Sequence, residues 1–332
     1  MRLNVNANDR RPLNRTAGVT LVELMVSMAL SLVVVLISTS LFLSSQVAYT
    51  ANEDARAIEE NGRIAIETIA RTLRQARYDD WDPGNGVQLT QLTDSAGIVG
   101  LDSRSLKSTT TAIDSPVAKA VNGSDVLTIR FHGAGTGAHG DGTMLNCAGF
   151  GVASPSGPDI ADRRGWSIFY VAEDSTGEPE LRCKYQGKNG WSAVAIARGV
   201  ETFQLLYGLD ADMDGLPNRF VTAREIDELD GSLLLTGADS ASRLLDKNRK
   251  TNWKKVVAIK VAMLVRGTRN VRGDEPNRTY HLFGSEYSQA FGNYDVGSRV
   301  DETKLPSKTR NRIRKMFSTT IMLRNPDTGG AA

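Results

Sequence analysis

Neither sign of charge is in excess: 40 Lys and Arg stand against 38 Asp and Glu in 332 residues, a formal net charge of +2. Nothing in that balance singles out nucleic acid as a partner, and nucleic-acid binding is disfavoured. Cysteine is scarce. Cys147 and Cys183 are the two present, so the chain can form one disulfide at most, the alternative being two buried thiols. A 40% hydrophobic content must then supply the core, and at this length it suffices for one large or two modest domains. Internal repeats are absent. So are catalytic constellations: no Ser-His-Asp set, activated cysteine or carboxylate pair falls at a defensible spacing, and no enzyme activity is expected. His132, His139 and Cys147 share a Gly-rich region but match no zinc spacing. Gly135 to Gly140 fits GxGxxG on paper, yet Asp141-Gly142 follows where a helix should begin, so a surface loop is expected rather than a dinucleotide site.

Gly and Pro are missing from one stretch, Val19 to Leu43, which carries a single charge, Glu23. As a helix it is long enough to cross a bilayer core of about 30 Å. Upstream, Arg2, Arg10, Arg11 and Arg15 outnumber the one acid, Asp9. Positive flanks of a first apolar segment stay cytoplasmic, so the remainder should face outwards. Removing residues 1–18 takes the formal charge from +2 to −1. A carboxylate inside such a segment costs at least about 2.5 kcal/mol unless it is paired or reaches the interface, which marks Glu23 as functional. The alternative is a carboxylate that reaches lipid headgroups.

An ordinary secretory signal is cut after its apolar core. Here the polar leader ends at Ala17-Gly18 and Val19-Thr20-Leu21-Val22-Glu23-Leu24-Met25 opens the run, so a cut at Gly18 leaves the membrane helix on the mature protein. In this the sequence resembles the class III signal of type IV prepilins. The resemblance implies cleavage after Gly18 by a prepilin peptidase and N-methylation of Val19. It also implies pairing of Glu23 with the N-terminal amine of a neighbouring subunit. Major pilins usually carry Phe where Val19 stands, a departure shared by some minor pilins.

Beyond the membrane segment, Ile58, Gly62, Ala65, Ile66, Ile69, Leu73 and Ala76 recur at spacings of three and four, the stripe of a helix with one buried face. Glu59, Arg63, Glu67 and Arg71 lie opposite at i, i+4 spacings that suit an exposed face. A helix over residues 19–76 is expected, stopped by the Pro and Gly of Asp79-Asp80-Trp81-Asp82-Pro83-Gly84. Alternation and β-branched content then predict strands over 126–131, 166–172, 181–185, 194–197, 200–207, 256–265 and 317–324, with long polar loops between them. The expected fold class is α+β: a long N-terminal helix packed on a mostly antiparallel sheet. The expected organisation is a leader over 1–18, a transmembrane and filament-core helix over 19–43, an amphipathic continuation over 44–78, and a β-rich head over 79–332.

Asp210-Ala211-Asp212-Met213-Asp214-Gly215-Leu216-Pro217-Asn218 places oxygen ligands at positions 1, 3 and 5 of a calcium loop and Gly at 6. Leu216 offers its carbonyl and Asn218 its side chain, but Val221 stands where the bidentate Glu belongs, with Glu225 or Asp227 as substitutes. Calcium is the candidate ion, and an Asp/Gly-rich solvated turn is the alternative. Lys308, Arg310, Arg312, Arg314 and Lys315 read as a solvated loop or strand edge, with partner contact second.

Three further pieces extend the resemblance in the same order: Tyr207-Gly208-Leu209-Asp210, the strand from Val256 to Gly267, and Phe317 to Asn325. The layout is similar to PilW-type minor pilins and to the related J-type pseudopilins of type II secretion. It implies a minor pilin near a filament tip that helps assemble a pilus used for adhesion or twitching. The implied partners are other minor pilins, the major pilin, prepilin peptidase, an inner-membrane assembly platform, and the membrane before assembly. The alternatives are a tip pseudopilin of type II secretion and, from another class, a membrane-tethered sensor or enzyme. Cys147 and Cys183 are read as one disulfide on the outer side.

Overall fold

The computed structural model describes residues 18–79, 90–155, 163–273 and 277–325. The four leader arginines, Asp9 and the turn residues Asp80 to Gly84 lie outside the described residues. The chain falls into two compact units, Met1–Thr50 and Ala51–Ala332. Helix α1 spans Leu21–Gln75. It starts where Thr20 and Glu23 cap it reciprocally: the Thr20 N–H donates to Glu23 Oε2 at 3.5 Å, and the Glu23 N–H donates to Thr20 Oγ1 at 3.3 Å. Its end is set at Arg77, which adopts φ 59°, a left-handed conformation that costs about 1 kcal/mol or more outside glycine. Two hydrogen bonds hold it there, from the Arg77 guanidinium to the carbonyls of Val256 (2.8 Å) and Trp253 (2.9 Å).

In the unit from Ala51 onward, three antiparallel sheets form. Strands β1 (Ile98–Leu101), β2 (Val126–Phe131), β3 (Gly165–Glu173), β4 (Pro179–Gly187) and β5 (Gly190–Arg198) make a five-stranded meander in chain order. Strands β6 (Val200–Leu209), β7 (Arg219–Val221), β8 (Val256–Arg266) and β11 (Arg314–Met322) make a four-stranded sheet in the order β11-β8-β6-β7. Strands β9 (Thr279–His281) and β10 (Arg299–Asp301) pair apart from both. Helices α2 (Ala223–Gly231), α3 (Ser240–Lys250), α4 (Ser285–Phe291) and α5 (Ser307–Arg310) fill stretches that the sequence pattern assigns to polar loops. The fold is α+β, with more helix than expected.

The α1 stripe has the partner it needs. Ile58, Ala65, Ile69 and Leu73 share one core with Ile129, Phe131, Phe169 and Val171 of the meander and with Phe203, Leu205, Val261 and Met263 of the four-stranded sheet. Glu59, Arg63, Glu67 and Arg71 are exposed on the other side. Alternation along β8 explains its near-continuous apolar run. Val261, Met263 and Val265 face the α1 core, while Ala262 and Leu264 pack with Leu282, Val300 and Leu305 on the opposite face. Strand β3 is likewise buried twice, with Ile168 and Tyr170 joining Leu106 and Val126 in a third cluster.

Several of the charged groups buried in this unit are paired. Glu201 of β6, almost wholly buried, accepts from Arg266 of β8 (2.9 Å) and from Arg314 Nε of β11 (2.6 Å). Glu178 binds Arg266 (3.0 Å) and Arg312 (2.8 Å). The basic run is therefore not uniformly solvated: Arg314 is fully buried and Arg312 nearly so, whereas Lys315 reaches Glu59 of α1 at 2.6 Å on the surface.

Candidate functional site

Every large apolar side chain from Val19 to Leu43 is at least half exposed, so this surface has no partner among the described residues. Its hydroxyls do. Ser27, Ser31, Thr39 and Ser40 donate to carbonyls three or four residues back, at 2.7 to 2.9 Å. A helix that satisfies its polar side chains internally can enter lipid or a packed helical bundle without stranded donors. By length and composition it can span a membrane.

Gly18 sits just before this helix with open space around its Cα. Val19 is exposed beside it, and Glu23 occupies the third helical position, where a carboxylate faces the free N–H groups of the helix start. The bond to Thr20 is a local partner for Glu23 that the sequence reading did not anticipate, although Thr-x-x-Glu before an apolar run is its signature.

The head joins its parts through a different set of acids. Asp125, buried, accepts the N–H of Ser103 (3.0 Å) and of Leu205 (2.9 Å), bridging the two large sheets. Asp102 accepts the first two N–H groups of α2, from Ala223 (3.1 Å) and Arg224 (2.8 Å). Asp295 accepts the Tyr287 hydroxyl at 2.9 Å. Burial pushes the carboxyl of Asp125 well up, and the neighbouring Asp102 and Asp295 add to the shift. Burial likewise pushes Asp295 up to about 7.

Cys147 and Cys183 are joined as a disulfide that ties the segment before β3 to β4. This removes Cys147 from any zinc set. His132 is fully buried and its Nδ1 meets Asp79 at 2.9 Å, with burial lowering its pKa.

Asp210, Asp212 and Asp214 come within 4.8 Å of one another in the β6–β7 loop. The loop closes on its own backbone: the two oxygens of Asp210 accept from Met213 (2.6 Å) and Gly215 (2.8 Å). Asp214 accepts from Leu216, and Asn218 from Ala211. Glu225 and Asp227, the substitute ligands, each have a partner elsewhere. Glu225 completes a capping box with Thr222 at the start of α2, and Asp227 accepts the Trp253 indole N–H at 3.1 Å.

Two family models match the chain. Residues 168–325 match "Type IV Pilus-assembly protein W", and residues 13–39 match "Prokaryotic N-terminal methylation motif". No curated protein matches it. Among solved structures, a type IV-like pilin from Thermus thermophilus aligns with 12% identity and a TM-score of 0.33, covering 80% of this chain and 95% of that one.

Proposed function

This chain is a type IV pilin-like protein of the pilus-assembly W type, and we propose that it acts as a minor pilin near the tip of a filament, helping other minor pilins and the major pilin to begin assembly. The observation that carries this reading is the unpartnered apolar face from Val19 to Leu43, headed by Gly18 and Glu23. Prepilin peptidase cuts after Gly18, Val19 becomes the methylated N-terminus, and Glu23 exchanges its bond to Thr20 for the free amine of a neighbouring subunit. A carboxylate and an ammonium brought together among packed helices stabilise each other where water is excluded.

Before assembly residues 19–43 hold the protein in the inner membrane as a single pass, with the head over 79–332 in the periplasm. The Cys147–Cys183 bond suits that oxidising compartment. Once extracted by the assembly platform, the helix packs in the filament core and residues 44–78 carry the head, in a pilus that serves adhesion or twitching. Pilin-like families are structural, and packing is the work assigned here.

The test is the intact mass and N-terminal sequence of the protein from wild-type cells and from cells lacking prepilin peptidase. A start at Val19 that depends on the peptidase is expected. An uncut chain, or a cut beyond the apolar run, defeats the filament reading.

A further inference from the structure

Helix α3 is turned inside out. Its acid, Asp246, is buried and binds the Thr236 N–H (2.8 Å), Arg249 (2.6 Å) and Lys250 (2.7 Å). Its two leucines face solvent instead, Leu244 at 57% exposure and Leu245 at 49%. The segment leading into the helix adds Leu234, 89% exposed and fixed by the bond from Lys250 Nζ to its carbonyl (2.8 Å). Scattered exposed leucines need no explanation, but three on one short helix and the segment leading into it, together with a buried acid, do. Four cations against two acids over 231–250 make this surface positive.

A second exposed apolar feature has the opposite sign. In the β6–β7 loop Met213 is 72% and Leu216 60% exposed, flanked by exposed Asp212 and Asp214. The bonds that Asp210, Asp214 and Asn218 accept from the loop's backbone N–H groups hold that shape, so the loop is preorganised to present its two apolar side chains.

We propose that the leucine face of α3 receives the acidic Met213–Leu216 loop of a second copy of this chain. Apolar side chains meet apolar side chains, and Asp212 and Asp214 meet Arg243 and Lys247, the cations of α3 that are not spent on Asp246. Loop and helix both anchor on the turn between α3 and β8. The Asp210 N–H donates to the Lys255 carbonyl (2.9 Å), and Asp230 at the end of α2 holds Thr251 and Asn252. The two features therefore belong to one end of the four-stranded sheet. A two-fold contact at that end lets each copy give its loop and receive its neighbour's. A lipid surface fits less well, because the same end carries the exposed acids of the loop.

The test uses full-length protein in detergent and measures its self-association. Wild-type chain is expected to dimerise with a concentration dependence in the range below about 100 µM. Reversing the loop (Asp212→Lys with Asp214→Lys) or the helix (Arg243→Glu with Lys247→Glu) should each weaken the dimer about tenfold or more. Mixing the two variants should restore it, because every loop then meets a helix of opposite sign, and a misfolded variant could not recover in this way. A wild-type monomer throughout, dimers indifferent to both reversals, or a mixture that fails to recover would each overturn the proposal. So would cross-links from a photoreactive residue at position 244, in cells, that fall on lipid or on a different subunit.

Discussion

Gly62 of α1 and Phe317 of β11 occupy one site between them: a Cβ on residue 62 would come within 2.3 to 2.5 Å of the atoms at the tip of the Phe317 ring. The tip of the ring meets bare helix backbone, and this lets the edge strand of the four-stranded sheet close on the helix that carries the head. Replacing Gly62 with Leu should lower stability by about 1 to 3 kcal/mol through overpacking, less the roughly 1 kcal/mol that a better helix former returns. Urea unfolding of Gly62→Leu, Phe317→Ala and the pair forms a double-mutant cycle. A coupling near zero would show that helix and strand do not meet here.

Glu201 lies between two arginines from two other strands, Arg266 and Arg314, with almost no solvent. A buried ion set is a weak source of stability when intact, yet removing one member strands the others. Glu201→Gln should therefore destabilise the head by about 3 to 5 kcal/mol. Lys315→Ala, which breaks the exposed pair with Glu59 and the contact of its ammonium with the Phe317 ring (5.6 Å), should change it by less than about 1 kcal/mol. Equal losses for the two variants in thermal unfolding would contradict this ranking.

The α1 stripe was legible because burial on one face imposes a period: Ile58, Ala65, Ile69 and Leu73 are all buried, and the intervening Glu59, Arg63 and Glu67 are not. Strand β2 was found over its full length, and the other long strands were found one to four residues short at their ends, where polar residues such as Glu173 and Gln186 stay in the ladder. Strand β11 shifted toward the N-terminus for a different reason. Its first residue is Arg314, which sequence alone assigns to solvent and which only three strands together can bury. Helix α3 was missed because its exposed leucines and inward acid invert the amphipathic rule. Helix α2 carries a readable signal of its own, the capping box Thr222-x-x-Glu225 at its start.

Asp295 makes the head sensitive to pH. Burial raises its carboxyl to about 7, opposed by the Tyr287 hydroxyl and reinforced by the charge of Asp102, with Arg224 and Glu225 also within range. Between roughly pH 4, where the unfolded chain loses this proton, and pH 7, the folded chain still holds it. The folded state thus binds more protons across that window, and this group makes stability fall as pH rises through it, with the loss complete above pH 7. Asp295→Asn keeps an acceptor for Tyr287 and removes the titration. It should be more stable than wild type at pH 8 by about 1 to 3 kcal/mol and level with it near pH 4. A variant whose urea midpoints follow the wild-type pH profile would remove Asp295 as the cause.

The Cys147–Cys183 bond closes a loop with a sequence separation of 36 residues around β3. Both half-cystines lie in the core shared by α1 and the two large sheets, so a reducing agent reaches them only when the head opens. On the chain-entropy account, losing a cross-link of this span frees the unfolded state by about 3 to 4 kcal/mol. The double variant Cys147→Ala/Cys183→Ala should lose that much in urea unfolding, plus a smaller amount for the vacated volume. Wild-type protein in dithiothreitol should keep its native midpoint at first and drift to the variant's value only as fast as it unfolds. If the reduced midpoint appears at once, the bond is reachable in the native state and the burial of Cys147 and Cys183 does not protect it.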